Sequence, residues 1–213
     1  MVQLSKLEER HLELSRQMMQ ADGGNLFPLD IYAIGSIKRS LAHCKGFATL
    51  IHTKNMTCAG GILRMQVDTL IRFYAAFIVE KPHDFAHAVM CGTQVKDLTD
   101  HNGRKMNDGY LVSMLSKQYP WLKSVYKETS GYVHFSSKHI FAAMKSLDED
   151  DRTINFEISH EDVPRAEEVY QEAINAFYHI TQIFLLYVEG WVQTKDQKIT
   201  ASMKADQSTA APA

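Results

Sequence analysis

Three groupings in this chain place reactive side chains at helical spacing. Tyr126, Ser130 and His134 recur every fourth residue in Tyr-Lys-Glu-Thr-Ser-Gly-Tyr-Val-His-Phe-Ser-Ser, so a helix running through Gly131 sets a phenol, a hydroxyl and an imidazole on one face. In that arrangement His134 acts as a general acid or base. The plainer reading has Ser130 or Ser136 capping a helix and His134 hydrogen-bonded within the core. Arg64, Asp68 and Arg72 repeat at i, i+4 and i+8, making either an internal ion-pair scaffold or a phosphate-binding surface. Two guanidiniums around one carboxylate leave a positive charge for His134 or an anionic ligand to meet. His83, His87 and Cys91 share the same spacing, by which one helix face presents metal ligands. Three ligands over two turns need a fourth from elsewhere, and ten histidines make such coincidences common, so these read as surface or packed side chains. No metal and no cofactor is expected.

The sequence holds no GxxxxGK[ST], GxGxxG after a strand, GxSxG or HExxH, which removes the usual support for phosphate-loop, dinucleotide, α/β-hydrolase and zincin chemistry. Ala59-Gly60-Gly61 reads as a small-residue packing site rather than as an anion-binding helix terminus.

The elements that must hold these residues are helices. Leu4, Leu7, His11, Leu14 and Met18 form one amphipathic stripe that stops at Asp22-Gly23-Gly24-Asn25. Pro28 opens a second helix through Ile34, Ile37, Leu41, Cys44, Ala48 and Ile51, and Asn55 or Thr57 caps the next. A third helix is predicted from about Thr57 to Glu80, apolar over most of its circumference and therefore central, with the Arg64-Asp68-Arg72 seam along one line. Shorter helices follow at Pro82 to Cys91, Thr93 to His101 and Asp108 to Gln118. Pro120 opens another, which Gly131 interrupts before Phe135 to Leu147 continue it. Thr153 to Ile158 alternates polar and apolar residues and is the one convincing strand, expected in a minor hairpin or an extended connection. From Asp162 a long helix carries Ala166, Tyr170, Ala173, Phe177, Ile180, Phe184, Val188 and Trp191.

These patterns predict one all-α domain over residues 1–195, a bundle of about five long helices with short additional ones, and a disordered tail over 196–213. A formal charge of -2 offers no global basic field for nucleic acid. Cys44, Cys58 and Cys91 occur singly, without a CxxC pair, and are read as reduced thiols. With no apolar run approaching the ~20 residues of a spanning helix and no signal-peptide pattern at the N-terminus, no membrane association and a cytoplasmic location are expected.

The segment Ile62-Leu63-Arg64-Met65-Gln66-Val67-Asp68, taken with the later Tyr126-x3-Ser130-x3-His134 element, resembles uncharacterised bacterial all-α families related to the HEPN class (higher eukaryotes and prokaryotes nucleotide-binding), over residues 30 to 192. The resemblance implies a helical bundle, often dimeric, and in many members a toxin–antitoxin or phage-defence endoribonuclease using an arginine followed after four to six residues by a histidine. This chain departs from that motif: Arg39 and His43 have three intervening residues, Arg152 and His160 seven. Two functions follow as expectations. One is a binding module for a protein partner, a second copy of itself or an anionic ligand, at Arg64, Asp68, Arg72, Tyr126, Ser130 and His134. The alternative is a metal-independent endoribonuclease acting on RNA, with His134 as general acid or base and Arg64 or Arg72 stabilising phosphoryl charge.

Overall fold

A computed structural model describes residues 2–159, 162 and 165–209. Eight α-helices follow in chain order: α1 (Val2–Gln20), α2 (Pro28–His52), α3 (Met56–Ala75), α4 (Pro82–Met90), α5 (Asp108–Leu115), α6 (Leu122–Val133), α7 (Ser137–Ala142) and α8 (Glu167–Thr209). Between α7 and α8 two strands, β1 (Met144–Asp148) and β2 (Thr153–Phe156), pair as an antiparallel hairpin. The molecule is an all-α bundle with one minor hairpin, as the apolar periodicities predict. α8 runs on into the segment read from composition as a disordered tail; residues 210–213 lie outside the described residues.

α3 is the central helix, packed against α2, α6 and α8. Its Val67, Leu70, Ile71 and Phe73 are fully buried, and Phe73 meets Phe184 of α8 edge-on at 5.3 Å. Across the same core Phe47 of α2 stacks on Phe177 of α8 at 4.2 Å. Asn55 caps α3 by accepting from the Cys58 amide at 2.9 Å. The Thr57 amide and hydroxyl both donate to Asp162, at 2.7 and 2.9 Å, so a carboxylate from the far side of the hairpin neutralises the positive end of the helix. Ala59, Gly60 and Gly61 therefore lie inside α3 and not at its terminus. Gly60 is where α6 approaches: a Cβ there would stand 2.5 Å from the Tyr132 ring, whereas one on Gly61 would meet nothing.

Two buried polar clusters tie the helices together. The His11 Nδ1–H donates to the Leu7 carbonyl at 2.6 Å, which leaves Nε2 to accept from the Ser40 hydroxyl at 2.8 Å. Thr181 donates to the Phe177 carbonyl. Both hydroxyls have thus spent their protons, and the Gln66 amide nitrogen supplies them, at 2.7 and 3.1 Å, while its oxygen accepts from His43 Nδ1–H at 2.9 Å. Four helices meet in this chain of donors with every bond satisfied. At one end of the bundle the Asp30 carboxylate accepts from the Phe27 amide and the Trp191 indole, both at 2.7 Å, and pairs with Lys195 at 3.0 Å. Lys195 also donates to the Met18 carbonyl. Both charged side chains are buried, so each depends on the other for solvation.

Three local expectations give way to tertiary structure. α3 ends at Ala75, short of Glu80, and the chain turns through residues 76–80. Thr93 to His101 holds only a single 3-10 turn at Val95–Asp97, because Thr99 bridges Lys105 and Asp100 accepts from the Asn102 and Arg104 amides in a tight loop. Phe135 to Leu147 is not one helix: Ser136 caps the short α7, and Met144 to Asp148 become the strand partner that Thr153 to Phe156 required.

Replacing Gly60 with Ala is expected to destabilise the fold by about 1–3 kcal/mol through overpacking on Tyr132, while Gly61→Ala gains roughly 0.5–1 kcal/mol from helix propensity, read as urea midpoints. Burial holds the pKa of His11 and of His43 below the ordinary 6.5. The stability resting on neutral imidazoles is therefore complete above pH 6.5 and is lost as pH falls below it towards the depressed folded values. Unfolding temperatures measured from pH 8 to 5 are expected to fall only on the acidic side of that range, and less so in His11→Gln.

Candidate functional site

The regular repeat of α3 sets Arg64, Asp68 and Arg72 on one line, and neighbouring helices complete it. Arg72 Nε donates to Asp68 at 2.6 Å, and Arg39, brought in by α2, donates to the other oxygen of Asp68 at 3.1 Å. Asp108, the first residue of α5, accepts from Arg72 at 3.2 Å and lies 3.5 Å from Arg64. The Arg64 guanidinium lies over the Tyr126 ring at 4.1 Å. Burial alone would lower the Arg72 pKa, but Asp68 and Asp108 outweigh it and raise the value, so the residue stays charged. Three arginines against two aspartates leave one positive charge in the cluster.

That charge opens on a cavity of about 580 Å³ between α2, α3 and α4. Arg39 and Arg72 line it with the polar groups of Tyr32, Ser36, Thr69, Thr93 and Gln94, and Ile31, Val89, Met90 and Val95 supply apolar lining. Tyr32 donates to the Arg72 carbonyl at 3.0 Å, and burial raises its pKa well above the ordinary range, so it remains a neutral phenol. The arginines are held to unequal degrees: the Arg39 side chain is 43% exposed and has one carboxylate contact, while Arg64 is 13% exposed, against Asp108 and Tyr126. Gly35 also lines the cavity, and a Cβ there would meet no atom within 4 Å.

The structure brings Arg64, Asp68, Arg72 and Tyr126 together and leaves Ser130 and His134 apart from them. Ser130 donates to the Tyr126 carbonyl at 2.7 Å on α6. α6 ends at Val133, and His134 follows in extended backbone at the exposed cap, which breaks the expected ladder. Gly60 faces Tyr132 while Arg64 faces Tyr126, so α3 and α6 run antiparallel. At about 1.5 Å per residue, His134 stands ~12 Å beyond Tyr126 in one direction and Arg72 ~12 Å beyond Arg64 in the other. Arg64, Arg72 and His134 do not share a pocket.

His83 leaves the face it shares with His87 and Cys91 to pack between Phe27 and Trp191, at 5.3 and 5.4 Å between ring centroids. His87 stays beside Cys91, 3.8 Å from the sulfur to Nε2. Among the described residues no three His, Cys, Asp or Glu side chains converge as a metal-ligand set. No described helix is long and apolar enough to cross a membrane. His160 lies outside the described residues.

Arg39, Asp108 and Tyr32 are the site residues that linear reading does not reach. The unbalanced charge on the α3 seam, which called for a carboxylate from elsewhere in the fold, signals Asp108 alone; Arg39 and Tyr32 carry no such signal. Neither a protein-family model, nor a curated protein, nor a solved structure matches this chain.

Asp68 is the less exposed carboxylate and makes the shorter contacts, so Asp68→Asn is expected to cost more stability than Asp108→Asn, about 1–3 kcal/mol in urea unfolding, because it leaves Arg39 and Arg72 opposed.

Proposed function

We propose that this chain is a helical binding module whose cavity between Arg39 and Arg72 takes a small amphipathic ligand bearing a single negative charge. The observation that carries the reading is the one surplus guanidinium charge, set in the lining of a cavity that also presents the apolar side chains Ile31, Val89, Met90 and Val95. Asp68 and Asp108 repel a dianion, and the partly exposed Arg39 is free to turn a donor pair towards a carboxylate. A cavity of this size matches the lower range of small-molecule sites, apolar walls with a few placed polar groups.

The endoribonuclease reading draws no support from the geometry, because its proposed acid–base group, His134, lies at the opposite end of the α3–α6 contact from Arg72.

Straight-chain carboxylates from butanoate to decanoate serve as probes. The member that fits is expected to raise the unfolding temperature by roughly 5–10 °C at a hundredfold excess over Kd. Arg39→Gln removes the charge and Gly35→Leu fills the cavity from a position with open space around it, and both are expected to abolish that rise, the free Gly35→Leu protein unfolding somewhat higher because a helix-interior glycine is replaced. A probe response that survives both substitutions, or none from any chain length, would sink the proposal.

A further inference from the structure

The hairpin is amphipathic, and its apolar face has no partner among the described residues. Leu147 pairs with Ile154 and Met144 with Phe156, which puts these four on one side; Ser146 with Asn155 and Asp148 with Thr153 occupy the other. Leu147, Ile154 and Phe156 remain 60%, 44% and 58% exposed. Beside them α7 exposes Ile140 and Phe141, and the strand exit exposes Ile158. Six of the eighteen large apolar side chains exposed among the described residues belong to α7, the hairpin and its exit, a concentration and not the ordinary scatter of surface leucines. A two-stranded hairpin without a covered face is marginal in water.

We infer that this face is a dimer interface, in which the apolar side of the hairpin and α7 packs on the same side of a second copy of the chain. Area favours that occupant: the six exposed apolar residues of the hairpin, its exit and α7 present on the order of 800 Å², about what a stable interface buries from each partner. Charge sets the orientation. The turn carries Asp148, Glu149, Asp150 and Asp151, and two such turns stacked at the same end would repel. A two-fold axis across the strands instead brings each acidic turn to the partner's hairpin base, where Lys138 and Lys145 each hold only one surface carboxylate, Glu128 and Glu157. Stacked hairpins at the usual ~10 Å spacing interlock Leu147, Ile154 and Phe156 with their symmetry mates.

The test is the mass of the full chain in solution by light scattering and sedimentation. The expected species is a dimer whose dissociation constant rises on the order of a hundredfold in Leu147→Asp and in Phe156→Asp, since each substitution acts twice across a two-fold axis. The helical circular dichroism stays as in the parent, while the amide-exchange protection of the β1–β2 pairs falls as the hairpin loses its cover. Asn155→Lys, on the opposite face of the same strand, leaves the dimer intact. A chain that is monomeric at all concentrations, a dimer that persists in both aspartate variants, or one lost equally in Asn155→Lys would overturn the inference. So would a monomer that sediments with phosphatidylcholine vesicles through Phe156, which would give the face to a lipid surface.

Discussion

The primary amide of Gln66 sits at the centre of α3, where α1, α2 and α8 converge and no solvent reaches. A buried amide without partners costs more than an apolar residue of the same size gains. Its partners must therefore arrive together, and each belongs to a different helix or turn: Ser40 and His43 from α2, Thr181 from α8, and His11 of α1 through Ser40. This constraint sets the rotation of every long helix about its axis. With α3 fixed by Gln66 in the core, its opposite line is obliged to carry Arg64, Asp68 and Arg72 outward towards α5 and the cavity. The site's geometry is a consequence of where the polar interior had to be satisfied.

The fold was readable where one period dominates. Pro28 and Pro82 at first helical turns, the stripe of Leu63, Val67, Leu70 and Ile71, and the run from Tyr170 to Trp191 all describe helices that bury a face, and burial decides them. Reading failed where partners from far along the chain decide. Met144 to Asp148 has no strong strand pattern and becomes a strand because β2 needs one. His134 lies one residue past a helix end that depends on the Ser136 cap and its Gly131 carbonyl contact, not on the Tyr126 repeat. Half of the candidate site was visible as a charge that did not balance; Asp108, which balances it, and Arg39, which restores a positive surplus, are adjacent to the seam only in space.

The ends of the bundle are governed by different physics. At the Asp30 end two charges are held away from water, and neither can be removed singly without stranding the other. At the hairpin end one face is apolar and exposed, strand edges are free among the described residues, and the segment is tied to the helices by the Thr57–Asp162, Ser136–Gly131 and Lys138–Glu128 contacts. Specificity is concentrated in the first and adaptability in the second.

The Asp30–Lys195 pair joins residues 165 positions apart, and that separation orders events on the ribosome. While the chain is being made, the carboxylate at the head of α2 emerges long before its ammonium partner and keeps its water. The groove that α8 will fill between α1 and α3 is equally empty, since Phe177, Thr181 and Phe184 are also late. The first three helices therefore lack a wall until α8 is made, and the interior is complete only once that helix joins them.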